Sequence, residues 1–210
     1  MRGERNRHFC GKPANDPTHA PQSLGRRELI RAGMFAALGV TLGRNVFLDD
    51  AAAEQQSARS LSLRNLHTGE SVDAVYWANG RYIGAGLRKI DYILRDFRDN
   101  RIKSIDLSLL DLMFRIRQAL DRAAPFDVIS GYRSPKTNAM LAARGPGVSV
   151  HSMHMKGKAV DLRLAGCALE TLWRTALAQS TGGVGYYPDS GFVHLDLGGV
   201  RRWVFPPGAG

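Results

Sequence analysis

The 210-residue chain predicts an α+β domain, built on a central, mostly antiparallel sheet with flanking helices. Three observations predict it: an Asn79-Gly80 pair between two alternating runs, two successive segments of helical period, and a C-terminal half in which short strands and helices mix. From Ser60, SLSLRNLHTGE alternates as a half-buried strand does and closes on a Thr68-Gly69 turn. DAVYW and RYIGA then flank Ala78-Asn79-Gly80, and Asn-Gly accepts the positive φ angles that a tight hairpin turn demands. Leu87, Ile90, Ile93, Leu94 and Phe97 fall at helical spacing, as do Leu109, Leu112, Met113, Ile116 and Leu120, with Asp106 placed to cap the second helix. Both helices are expected to carry core rather than chemistry.

FDVIS, residues 126–130, reads as a short buried strand that runs into Gly131-Tyr132-Arg133-Ser134. Pro135 opens a helix to about Ala143, because its fixed φ and missing N–H suit the first helical position. The Gly- and Ser-containing RGPGVSVHS forms a loop before His154, and KAVDLRL is a strand that carries Asp161. A helix is expected over 167–179, and GGVGYYP, FVHLDLG and RRWVF supply the last strands.

Composition narrows the function classes. An apolar fraction of 44% supports a real core and excludes a disordered chain. The net charge of +10 is spread along the sequence, and no nucleic-acid-binding module accompanies it, so nucleic acid is not the expected partner. Cys10 and Cys167 are the only cysteines, which implies no disulfide framework, and Cys167 is expected to pack as a small apolar residue. Near the N-terminus, Arg26-Arg27 precedes the uncharged run from Ala32 to Gly43 and then Ala51-Ala52-Ala53, the layout of a twin-arginine export signal. The run is too short to span a bilayer, which takes about 20 apolar residues. A retained amphipathic helix is the alternative, since Asp49-Asp50 sits unusually just before the alanines. The expected organisation is a removable signal over 1–53, a linker over 54–60 and one domain over 61–210, located in the periplasm without stable membrane insertion. Eight of the 29 Lys+Arg and five of the 19 Asp+Glu lie in that signal, so the remainder keeps a net +7. Such a surface suits an envelope polymer rich in carboxylates.

Chemistry concentrates late in the chain. His154 and Asp161 stand seven positions apart in HSMHMKGKAVD, and His194 follows in FVHLDLGG. Two imidazoles and a carboxylate can hold Zn²⁺ with the fourth tetrahedral position open to water, which lets the ion activate that water near neutral pH. Spacing alone leaves the alternative standing, that His154 is a solvated loop residue and His194 a hydrogen-bonded core histidine.

SGYRSPKTNAML, GVSVHSMHMKGKAVDLRL and GGVGYYPDSGFVHLDLGGVRRW, in that order, resemble the signature blocks of the murein endopeptidase K-like zinc metallopeptidases, related to D-Ala-D-Ala metallocarboxypeptidases, lysostaphin-type enzymes and hedgehog domains. The resemblance covers most of the chain beyond Ser60. It implies a hedgehog/DD-peptidase-like fold and zinc-dependent cleavage of amide bonds in peptidoglycan stem peptides or cross-links, with Zn²⁺ as the only cofactor. It carries the metal ligands onto His154, Asp161 and His194, and a strand-end arginine onto Arg133. A non-catalytic zinc- or wall-binding module and a D,D- or L,D-carboxypeptidase are the alternative readings.

For the catalytic roles, Arg133 is expected to bind a substrate carboxylate or steady a developing oxyanion. Asp196, two residues after His194 on the same strand face, is expected either to act as general base or to hold a ligand imidazole, and His151 to contact water or substrate. Several related carboxypeptidases carry an acid three residues before the last metal histidine, where this chain has Gly191, with Asp189 as a weak substitute. Tyr132, Tyr186 and Tyr187 are candidates to line the groove, and Ser130 and Ser134 need no nucleophilic role.

Overall fold

The computed structural model describes residues 58–145 and 148–205; the expected export signal, and residues 54–57 of the expected linker, lie outside the described residues. In chain order the elements are β1 (Arg59–Asn65), β2 (Ser71–Ala78), β3 (Arg81–Tyr82), α1 (Gly84–Ile93), α2 (Leu107–Leu120), β4 (Phe126–Ser130) and α3 (Pro135–Ala142). A 3₁₀ turn (Met153–Lys156), β5 (Ala159–Leu164), α4 (Leu169–Ala178), β6 (Gly183–Tyr187), β7 (Phe192–Asp196) and β8 (Arg201–Val204) complete them. The strands join one sheet in the order β3-β2-β1-β4-β5-β7-β6-β8. Two pairs, β1 with β4 and β6 with β8, are parallel and the other pairs antiparallel, so the fold is α+β with a mostly antiparallel sheet.

The sheet has two unlike faces because strand side chains alternate. Leu61, Leu63, Phe126, Val128, Val160, Leu162, Val193 and Leu195 are buried together with Leu109, Met113 and Ile116 of α2 and Leu172 and Ala176 of α4. Alternate residues on the same strands, Arg64, Asp127, Asp161, Arg163, His194 and Asp196, therefore stand on the opposite, polar face. Asp127 is buried there between two arginines, accepting from Arg64 Nη2 at 2.7 Å and Arg163 Nε at 3.3 Å.

Local signals behave as their chemistry requires, with two exceptions. Asp106 caps α2 by accepting from Ser108 N at 3.0 Å, and Ser134 caps α3 by accepting from Thr137 N at 3.2 Å. Asn79 and Gly80 take φ of 51° and 74° in the hairpin turn. The second hairpin strand is shorter than RYIGA implies: only Arg81 and Tyr82 pair, and Gly84 already begins α1. The helical spacing of Leu87, Ile90 and Ile93 wins, because Ile90 and Ile93 become buried in the core. Gly86 permits the contact of α1 with β2, since a Cβ there would lie 1.9 Å from the Val75 carbonyl oxygen. Phe97 falls beyond α1, where its ring stacks on His67 at 4.3 Å. The chain leaves the helix at Leu94, and Asp96 then accepts from Ser134 N at 2.8 Å, tying this turn to the segment after β4.

Candidate metal centre

Strand register assembles the site. Asp161 on β5 stands directly opposite His194 on β7, with Ser130 of β4 on one side and Gly185 of β6, then Trp203 of β8, on the other. These five positions form one row across the polar face. His154 reaches the row from the 3₁₀ turn rather than from a flexible loop, which corrects the expectation for that residue. Ser152 Oγ accepts from His154 N at 3.3 Å, Arg133 N donates to the His154 carbonyl at 3.3 Å, and Gly157, at φ 68°, closes the turn. Gly157 must be glycine for a second reason: a Cβ would lie 2.6 Å from the Ser104 carbonyl oxygen. The His154 side chain is 2% exposed as a result.

Hydrogen bonds fix which ring nitrogen faces the pocket. The Gly131 carbonyl can only accept, so His154 Nδ1 donates to it at 2.7 Å and leaves Nε2 as the free lone pair. His194 Nε2 likewise donates to the Asp196 carboxylate at 2.9 Å, which turns Nδ1 toward Asp161. His154 Nε2 and His194 Nδ1 are 3.3 Å apart, Asp161 Oδ2 is 3.2 Å from the former, and Asp161 Oδ1 is 2.7 Å from the latter. The three residues offer donor atoms that all lie within 4.8 Å of one another. This set fits a divalent metal: two imidazole nitrogens and a carboxylate converge, and each imidazole is anchored through its other nitrogen, as metal-binding histidines are.

The electrostatics follow from this convergence. Burial, reinforced by the Arg133 charge, lowers the His154 pKa against the pull of Asp161, so its ring is neutral and ready to coordinate. Burial also opposes ionisation of Asp161, yet the two imidazoles and their hydrogen bonds hold it well below the usual carboxylate range. At His194 burial disfavours the imidazolium, but hydrogen bonds to Asp161 and Asp196 outweigh it and raise the pKa to about 9. In the metal-free protein His194 thus donates from both nitrogens. The stabilisation from this raised pKa is fully present below the unfolded value near 6.5 and is lost as pH rises through about 9. Thermal unfolding in chelator is expected to lose up to about 3 kcal/mol between pH 6.5 and 9. A metal displaces the Nδ1 proton, so metal affinity is expected to rise with pH over the same interval. Titrations with a competing chelator check that slope.

A cavity of about 300 Å³ opens onto the donors, lined by Arg133, His151, Tyr187, Phe192 and Trp203 among others. Arg133 Nε donates to Ser130 Oγ at 2.8 Å, and its Nη2 donates to Asp161 Oδ2 and lies 3.1 Å from His154 Nε2. His151 is exposed on the cavity wall. Asp196 is fully buried and accepts from His194, Arg201, Gly183 N and Gly198 N, which places it behind His194. Gly191 occupies a turn at φ 69°, its N–H bonded to the Tyr187 carbonyl at 2.9 Å. Of the three candidate tyrosines only Tyr187 lines the cavity: Tyr132 is buried in the core and Tyr186 packs on Trp173, ring centres 5.1 Å apart. Cys167 is half-buried against the core.

The sequence reading missed Arg201 and Trp203. Arg201 Nη2 donates to Asp196 Oδ2 at 2.6 Å, and the Trp203 ring lies 5.3 Å from that of His194. Alternation in RRWVF puts both on one strand face, which was the available signal; that β8 lies beside β6 is a fact of sheet order alone.

Comparison with known proteins places the chain in a family. The Peptidase_M15_2 family, described as peptidoglycan L,D-endopeptidase MepK, matches residues 52–203. Peptidoglycan L,D-endopeptidase MepK of Escherichia coli (strain K12) is 43% identical over 180 residues, covering 85% of this chain and 96% of that protein. The probable peptidoglycan L,D-endopeptidase MepK of Haemophilus influenzae is 40% identical over 168 residues, 80% of this chain and 89% of that protein. His154, Asp161 and His194 all fall inside the span matched by the family, and a likeness this extensive makes the chain a member of the peptidoglycan L,D-endopeptidase MepK family.

Proposed function

We propose that this chain is a zinc-dependent L,D-endopeptidase that hydrolyses amide bonds in peptidoglycan stem peptides or their cross-links. The observation that carries the reading is the convergence of His154, Asp161 and His194 at a cavity, in a member of this family. Zinc suits two neutral imidazoles and a carboxylate; when bound it supplies a Lewis acid that polarises an amide carbonyl and lowers the pKa of water. The remaining work falls to the chain itself. The His154 ring is held by the Gly131 carbonyl and the His194 ring by Asp196, so neither spends rotamer freedom when the site fills. Asp196 is fully engaged in that task, and we assign it to positioning rather than to proton transfer. His151, exposed on the cavity wall with a ring that makes no hydrogen bond among the described residues, is our candidate to accept the water proton.

Arg133 is anchored through Nε and turns its guanidinium edge into the cavity, where it can donate to a carbonyl oxygen as charge builds on it or to a neighbouring carboxylate. Periplasmic location follows from the substrate, and no helix among the described residues is long and apolar enough to cross a membrane. Digestion of purified sacculi by the protein, followed by mass spectrometry of the released muropeptides, tests the reading. Cross-linked muropeptides are expected to fall and monomers to rise, with the activity abolished by a chelator and restored by Zn²⁺. Release of single D-amino acids alone would mark a carboxypeptidase; binding of zinc and sacculi without any cleavage would mark a binding module.

A further inference from the structure

The strand next to the ligand strand turns a bare face to the site. Gly183 and Gly185 of β6 stand beside Asp196 and His194 of β7, where a strand normally presents side chains. The space is taken from the far side, because Gly183 also pairs with Arg201 and Gly185 with Trp203 on β8. A Cβ on Gly183 would lie 2.5 Å from Asp196 Oδ2 and 2.6 Å from Arg201 Nη1, and one on Gly185 would lie 2.5 Å from Trp203 Cε2. Two β8 side chains thus pass over β6 to reach the β7 residues of the site.

What Arg201 does there is specific. Its Nη2 donates to Asp196 Oδ2 at 2.6 Å and its Nη1 to Oδ1 at 3.2 Å, a forked grip that defines the plane of the carboxylate. Nη1 also donates to the Gly199 carbonyl at 3.0 Å, and the guanidinium lies 5.0 Å over the Trp203 ring, itself held by Nε1 donating to Tyr187 Oη at 3.0 Å. Asp196 Oδ2 receives Arg201 and His194 Nε2 together, so the orientation of one bond constrains the other.

We propose that Arg201, laid across the bare glycines of β6 and against Trp203, is the positioning residue that, through Asp196, orients His194 to receive the metal. This rests on the metal-centre reading above. A plain charge cap for a buried carboxylate would alter stability and leave metal geometry alone; a positioning residue alters both affinity and ligand field.

The experiment compares the unaltered chain with Arg201→Gln, Arg201→Lys and, as control, Arg202→Gln, the adjacent exposed arginine on the opposite strand face. Zinc affinity is read by competition with a chromophoric chelator, and ligand geometry by the visible spectrum of the cobalt-loaded protein. Arg201→Gln is expected to bind zinc about 10- to 100-fold more weakly with an altered cobalt spectrum, and Arg202→Gln to match the unaltered chain. Arg201→Lys keeps the positive charge but cannot make the forked grip, and is expected to shift both readouts the same way; it decides the matter if Arg201→Gln fails to fold. Unchanged affinity and spectrum in folded Arg201→Gln would overturn the inference alone. Absence of zinc binding by the unaltered chain would overturn the metal-centre reading beneath it.

Discussion

His154→Ala is expected to leave a folded protein with no detectable hydrolysis of sacculi. The ring is one of three donors, and losing one of three should weaken zinc binding by about a thousandfold, as a third of a typical zinc-site binding energy. The loss extends past affinity. The pocket that His154 vacates lies against Asp161, whose carboxylate keeps its bonds to Arg133 and His194. Excess zinc is therefore not expected to restore rate, because two donors do not hold the ion in a fixed place relative to the cavity. Metal content by elemental analysis, and activity across a zinc titration, check this together. Full activity at any zinc concentration would remove His154 from the ligand set.

The second large effect is expected at Arg133. Arg133→Gln should lower kcat by about 10²- to 10³-fold, the usual cost of a lost donor to a developing oxyanion, while zinc content stays at one per chain. The split follows from placement. Arg133 enters from the segment between β4 and α3, anchored on Ser130 Oγ, and its side chain is 12% exposed against the cavity. It supports the site electrostatically without belonging to the convergent donor set. If its partner were instead a substrate carboxylate, KM would rise and kcat would hold, so the two parameters separate the roles. Zinc loss in this variant would show that Arg133 positions Asp161 instead of acting on substrate.

Much of this candidate centre was legible in the sequence because two of its three converging side chains sit in short, strongly signalled elements. KAVDLRL and FVHLDLG alternate clearly, and Pro135 marks the start of α3 with Arg133 two residues ahead of it. His154 was harder, since its 3₁₀ turn spans only Met153–Lys156 and follows a Gly- and Ser-containing stretch that reads as open loop. The turn is fixed by a serine cap and by Gly157, two local signals that are individually weak. RYIGA misled for a different reason: Ile83 closes the hairpin and caps α1 at once, so one alternating run serves two elements. Arg201 and Trp203 were out of reach, because their relevance depends on β8 docking parallel to β6 and no local pattern encodes that pairing.

The row that joins Ser130, Asp161, His194, Gly185 and Trp203 draws on stretches more than 70 positions apart along the chain. Neighbouring members of the row stand 9 to 33 positions apart, and a one-residue slip in any pairing turns its side chain to the other face, so the donors meet only when every strand is in register. Molecules with a mispaired sheet consequently carry a blunt blade. For a member of a wall-cleaving family, competence that depends on a fully registered sheet confines cutting to the folded chain.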